Sequence, residues 1–142
     1  TTIEKQVALA VLMPIVASMG GVAGSQTLTL VIRSMALGQL NEKNQLWLLR
    51  KEIMVGASNG IIWAIAIALV TILWFNSLAL GILIGTAIII NLIAAALAGV
   101  AIPLILKKFG SDPALSGGVL LTTVTDVVGF MAFLGFATLF IV

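Results

Sequence analysis

Residues 53–106 read IMVGASNGIIWAIAIALVTILWFNSLALGILIGTAIIINLIAAALAGVAIPLIL, 54 positions without an Asp, Glu, Lys or Arg. The hydrocarbon layer of a bilayer is crossed by about 20 apolar residues in a helix, so this run is far too long for one crossing and suits two. Trp74-Phe75-Asn76-Ser77 is the place to divide it. A tight turn there gives spans over 53–74 and 78–106, with Trp74 and Phe75 suited to an interfacial belt and Trp63 buried. Asn59 and Asn91 then fall inside the membrane as buried amides making interhelical hydrogen bonds. Gly81-xxx-Gly85 and the small residues of 94–99 offer close-packing surfaces.

Outward from this hairpin the same pattern repeats on both sides. Arg33–Glu52 forms a polar connection at the membrane surface, with Gly38 and Asn41 as helix-stop signals. Ahead of it, Gln6–Ile32 is free of charge for 27 residues after a short polar lead, Thr1–Lys5. On the other side, Lys107-Lys108-Phe109-Gly110-Ser111-Asp112-Pro113 is the last loop: Gly110 stops the preceding helix, Ser111 or Asp112 caps the next, and Pro113 takes its first position, where a missing N–H costs nothing. The final run extends to Val142. Residues 1–142 are thus one all-α membrane domain with four spans, at approximately 6–33, 53–74, 78–106 and 113–141.

Composition agrees and excludes much else. The chain is 61% hydrophobic and 8% charged with a mean hydropathy of +1.27, against about 25% charged residues in soluble domains. The net charge of +2 sits mostly in loops and offers no nucleic-acid-binding face. Without Cys or His there are no disulfides, thiolate metal sites, haem ligands or imidazole acid–base chemistry. No enzyme is expected. The start of the chain shows no removable signal peptide. Four Lys/Arg lie between spans one and two, two between spans three and four, and none between two and three. By the positive-inside rule, loops 34–52 and 107–112 are cytoplasmic in a multi-pass cell-membrane protein, and both termini face outward.

Asp126 is the one charge inside the last span. At a helix centre it costs about 2.5–3.5 kcal/mol to insert, so it is expected to face protein, water or an ion. Steps of four place Thr122 and Gly118 on its stripe, with Gly129 about one turn onward. In span one Ser18, Gly21, Ser25 and Thr29 form a second stripe, while Gly20-xxx-Gly24 and Ala17-xxx-Gly21 suit tight packing. Carboxylate, hydroxyl and carbonyl oxygens suit hard cations such as Mg²⁺, Ca²⁺ or Mn²⁺. One carboxylate does not balance a dication; two copies meeting about a two-fold axis do. A largely hydrated Mg²⁺ held through waters by Ser, Thr and carbonyl oxygens fits such a pore. For Thr122, Thr123 and Thr125, hydrogen bonding back onto their own helix is the competing reading. The residues also admit a proton-coupled carrier or rotor-type subunit using Asp126 as a protonatable site, and a non-transporting assembly subunit.

Pro14 with Gly20-Gly21-Val22-Ala23-Gly24-Ser25-Gln26-Thr27, then Arg33 and Gly38, then Lys107 to Ala114, and finally Thr122-Thr123-Val124-Thr125-Asp126 follow in order a pattern that resembles the membrane domain of the MgtE family of magnesium channels and transporters. The resemblance implies a homodimer with a cation pore at the subunit interface, lined by spans one and four. It places the family's pore aspartate on Asp126 and its other pore-lining positions on Ser18, Gly21, Ser25, Thr29, Leu115, Gly118 and Thr122. Mg²⁺ is then the transported ion, with Mn²⁺ or other divalent ions admissible. Val22 departs from the Asn usual in the family's glycine motif. Nothing in these 142 residues corresponds to the family's first membrane helix or to its regulatory paired CBS domains.

Overall fold

The structure, a computed structural model, describes residues 2–38, 43–76, 78–110 and 113–140; the side chains of 2–6, 8, 9, 113–116 and 140 lie outside that description. Among the described residues four helices follow in order: α1 (Thr2–Ala36), α2 (Gln45–Phe75), α3 (Leu78–Lys108) and α4 (Pro113–Phe140). All four are long and apolar enough to cross a membrane. At 31 residues each, α2 and α3 are about 46 Å long.

The ends obey local chemistry. Gly38 and Gly110 take positive φ of 71° and 80° just past α1 and α3, as their stop signals require. Asn76 ends α2 in the left-handed region at φ 52°, ψ 43°, which turns the chain into α3 at the divide between the two central spans. A β-branched residue is disfavoured there by about 1–2 kcal/mol. Asn76→Val should therefore lower the thermal midpoint in detergent, while Asn76→Gly should not. Pro113 opens α4. Asn41, Ser77, Ser111 and Asp112, also assigned to loops or caps, lie outside the described residues.

α3 is the hub. Half of its apolar window is buried, against 11% for α2, and it packs on each of the other helices. Val16, Leu12, Ile84, Ile88 and Phe133 join α1, α3 and α4 in the main core. In lipid, helix association rests on close packing rather than on removal of apolar surface from water, so small residues set the contacts. Gly81 and Gly85 accordingly sit against Ile72, Ala64 and Ala68 of α2. α1 and α4 pack on each other as well, whereas α1 and α2 touch at few points. Between the latter runs a crevice floored by Leu92 and Ala96 of α3.

Asn91 is fully buried where α1, α3 and α4 meet. Its Nδ2 donates to the Val16 carbonyl at 2.9 Å, the interhelical bond expected of it, and its Oδ1 has no partner among the described residues. The amide is wedged between Gly20 and Gly129.

Three expectations need correction. Asn59 is exposed beside the α1–α2 crevice rather than a buried amide, and Trp63 is 52% exposed on the face of α2 that α3 does not cover. The connection after α1 is shorter than Arg33–Glu52: α1 runs to Ala36, and α2 starts at Gln45. Trp47, Arg50 and Lys51 lie exposed on its first turns, with the Lys51 ammonium 5.2 Å from the Trp47 ring centre. Glu52, by contrast, is buried. Polar residues at a helix end mark the membrane surface without marking where the helix begins.

Candidate ion-binding groove

Where α1 crosses α4, an open groove of about 670 Å³ is lined by Ser18, Gly21, Val22, Ser25 and Thr29 of α1 and by Thr122 and Asp126 of α4, with Ala17 and Gln26 completing the wall. Both stripes follow from helical periodicity. What brings them together is the packing beneath: Gly24 lies against Leu121 and Gly117 against Leu28, so α1 and α4 approach closely and their adjoining faces form one trough.

The groove is built of oxygen donors on small side chains. Asp126 is half-buried on its wall, and no Lys or Arg is among the described lining residues. The negative charge is thus not compensated from within the groove. Gly21 and Gly118 face open space, since a Cβ at either would meet no atom within 4 Å. Thr29 donates to the Ser25 carbonyl at 2.8 Å and leaves its lone pairs to the groove.

The remaining assignments divide cleanly. Thr123 donates to the Val119 carbonyl at 2.8 Å, and buried Thr125 to the Thr122 carbonyl at 3.1 Å; both hydroxyls return to their own helix, and neither residue lines the groove. Gly129, expected on the Asp126 stripe, instead packs inward against Asn91 and Val16. Gly118 is exposed on α4 but is not part of the groove wall. The side chain of Leu115 lies outside the described residues. Gln26 is the polar lining residue that sequence reasoning passed over. Its signal was present in its spacing, one turn beyond Val22 and beside Ser25, and it is the longest neutral polar side chain on the wall.

Among the described residues the chain is thus a four-helix membrane bundle with a carboxylate in an oxygen-lined lateral trough, a donor set that suits a hard cation. Comparison with known proteins makes this specific. A family model described as MgtE, divalent cation transporter, matches residues 13–136. The chain is 34% identical over 139 residues to the magnesium transporter MgtE of Bacillus subtilis, covering 98% of this chain and 31% of that protein. It is 31% identical to the magnesium transporter MgtE of Enterococcus faecalis over 93% of this chain and 29% of the relative, and 31% identical to that of Thermus thermophilus over 98% and 31%. The chain belongs to the MgtE family, whose members are transporters and not enzymes. It spans under a third of the length of these relatives.

Proposed function

We propose that this chain forms the ion-conducting part of a Mg²⁺ channel or transporter, in which two copies meet along the α1–α4 trough and Asp126 from each lies at the centre of the pathway. The observation that carries this reading is the convergence of Ser18, Gly21, Ser25, Thr29, Thr122 and Asp126 on one uncovered groove. A charged trough on the side of a membrane helix pair is costly against acyl chains and must be covered. A second copy covers it with an identical trough and supplies the second negative charge that a dication needs. The walls then offer hydroxyl oxygens and the Gln26 amide to the water shell of Mg²⁺, an ion that sheds its waters reluctantly. Val22, 58% exposed on this wall, replaces a polar contact with an apolar one. Under the same reading Leu115 and Gly118 line the pathway toward the α3–α4 connection, and the loops 34–52 and 107–112 are cytoplasmic. The magnesium-transporter relatives support Mg²⁺ as the cargo.

The absence of Cys from the sequence makes the dimer directly testable. A disulfide needs Cα atoms within about 7 Å, so only residues close to a two-fold axis can link to their own copies. Gly118→Cys and Gly21→Cys, each on the uncovered face, should give oxidised dimers in membranes. Leu69→Cys, exposed but on α2, should remain monomeric on a non-reducing gel. Linkage through Leu69→Cys with none through the two glycine positions would place the interface elsewhere.

A further inference from the structure

The second acid inside the bundle is Glu52, and it lies away from the Asp126 groove. Its partner on α1 is Thr27, which sits two residues from both Ser25 and Thr29 and therefore points about half a turn away from their stripe. Glu52 is 6% exposed and lines a cavity of about 220 Å³ between α1 and α2, floored by Leu92 and Ala96 of α3. Its polar neighbours on that wall are Thr27, Gln26 and Asn59; no Lys or Arg is among the described lining residues.

The hydrogen bond that Thr27 offers this carboxylate is long and shared. The Thr27 hydroxyl lies 3.3 Å from Glu52 Oε2 and also 3.3 Å from the Ala23 carbonyl. One hydroxyl carries one hydrogen, so the two acceptors share it, and both distances exceed the 2.7–2.8 Å usual for O–H···O. Arg50 and Lys51, adjacent in sequence, are exposed around a neighbouring cavity with Trp47 and Met54 that shares Val55 and Asn59 with this one, but neither lines the Glu52 cavity itself. Among the described residues no Lys or Arg lines this cavity, so the charge of the buried carboxylate is not balanced on its wall.

We infer that Glu52 anchors a second cation site, specific for a singly charged alkali-metal ion, formed with the Thr27 hydroxyl and the side-chain amide oxygens of Asn59 and Gln26. The charge decides the class of ion. One carboxylate away from the proposed two-fold groove balances one positive charge, whereas a dication needs a second acid. The donors are all hard oxygens. An ion here would tie α1 to α2 at the place where those helices otherwise touch least, and Gln26, which also lines the Asp126 groove, would sit between the two sites.

Thermal unfolding of the purified chain in lipid nanodiscs, in NaCl against choline chloride at equal ionic strength and fixed pH, tests the site with Na⁺ as probe. At about ten times its dissociation constant, Na⁺ should raise the midpoint by about 5 °C. Equilibrium binding of radioactive Na⁺ should reach about one ion per chain, the single charge that Glu52 balances. Both effects should vanish in Glu52→Gln, weaken in Asn59→Leu, whose exposed position spares the fold, and persist in Asp126→Asn. No difference between Na⁺ and choline, a sodium effect that survives Glu52→Gln, or one abolished by Asp126→Asn would each overturn the assignment. Persistence in Asp126→Asn also keeps this test separate from the fate of the Mg²⁺ pathway.

Discussion

Asp126→Asn is expected to lower Mg²⁺ flux by about 10²-fold or more while the chain still inserts and folds. Asn preserves the size of the side chain and removes its charge. In the proposed dimer both copies lose that charge at once. A hydrogen bond to a charged group contributes about 1.5–3 kcal/mol, so two such losses at the water shell of one dication come to roughly 3 kcal/mol or more, and each 1.4 kcal/mol is tenfold. Asp126→Glu keeps the charge at the end of a longer arm and should retain part of the flux. Growth of a magnesium-dependent strain, and Mg²⁺ entry into proteoliposomes, read the effect. Unchanged entry with Asp126→Asn would remove Asp126 from the pathway. Entry that follows a pH gradient and ignores divalent ions would instead favour a protonatable carboxylate.

The second large effect separates two neighbouring glycines. A Cβ added at Gly20 runs into the Asn91 amide, which is fully buried and held to the Val16 carbonyl at 2.9 Å. Asn91 has no free direction, because Gly129 closes its other side. Overpacking of this kind costs typically 1–3 kcal/mol and here falls on the junction of three helices, so Gly20→Ala should be destabilised by about 3 kcal/mol. One residue on, Gly21 faces the open groove, and Gly21→Ala should unfold no more readily than the parent chain; the higher helix propensity of Ala even favours it by about 0.5–1 kcal/mol. Its defect should appear in ion flux, because the new methyl narrows the groove. A double-mutant cycle locates the cause: Asn91→Ala should rescue Gly20→Ala, since removing the amide clears the space and an interhelical hydrogen bond in such bundles contributes only about 0.6 kcal/mol. Equal thermal midpoints for Gly20→Ala and Gly21→Ala would contradict the packing described for Asn91.

How far the sequence leads depends on whether a feature is set within one helix or between helices. Uncharged runs of bilayer length and the stop signals at Gly38 and Gly110 are local, and the four helices follow from them. Periodicity is local too, which is why Ser18, Gly21, Ser25 and Thr29 fall on one stripe and Thr122 and Asp126 on another. Thr122 was set apart by its place on the Asp126 stripe, whereas for Thr123 and Thr125 the turn back to their own helix was legible only as an alternative, because a hydroxyl can always reach its own helix's carbonyl and only the packing shows which face is covered.

Read alone, the chain determined that four apolar helices cross a membrane with one carboxylate among hydroxyls and glycines in the last, since charge, chain length and the 3.6-residue repeat require no knowledge of neighbours. Tertiary structure decided that α3 is the hub, that the stripes of α1 and α4 share one groove, that Asn59 and Trp63 are exposed, and that Glu52 is buried beside Thr27. The reason is physical. In lipid both the covered and the uncovered faces of a helix are apolar, so hydropathy does not say which faces meet; only the fit of small residues such as Gly20, Gly24 and Gly129 against particular partners does.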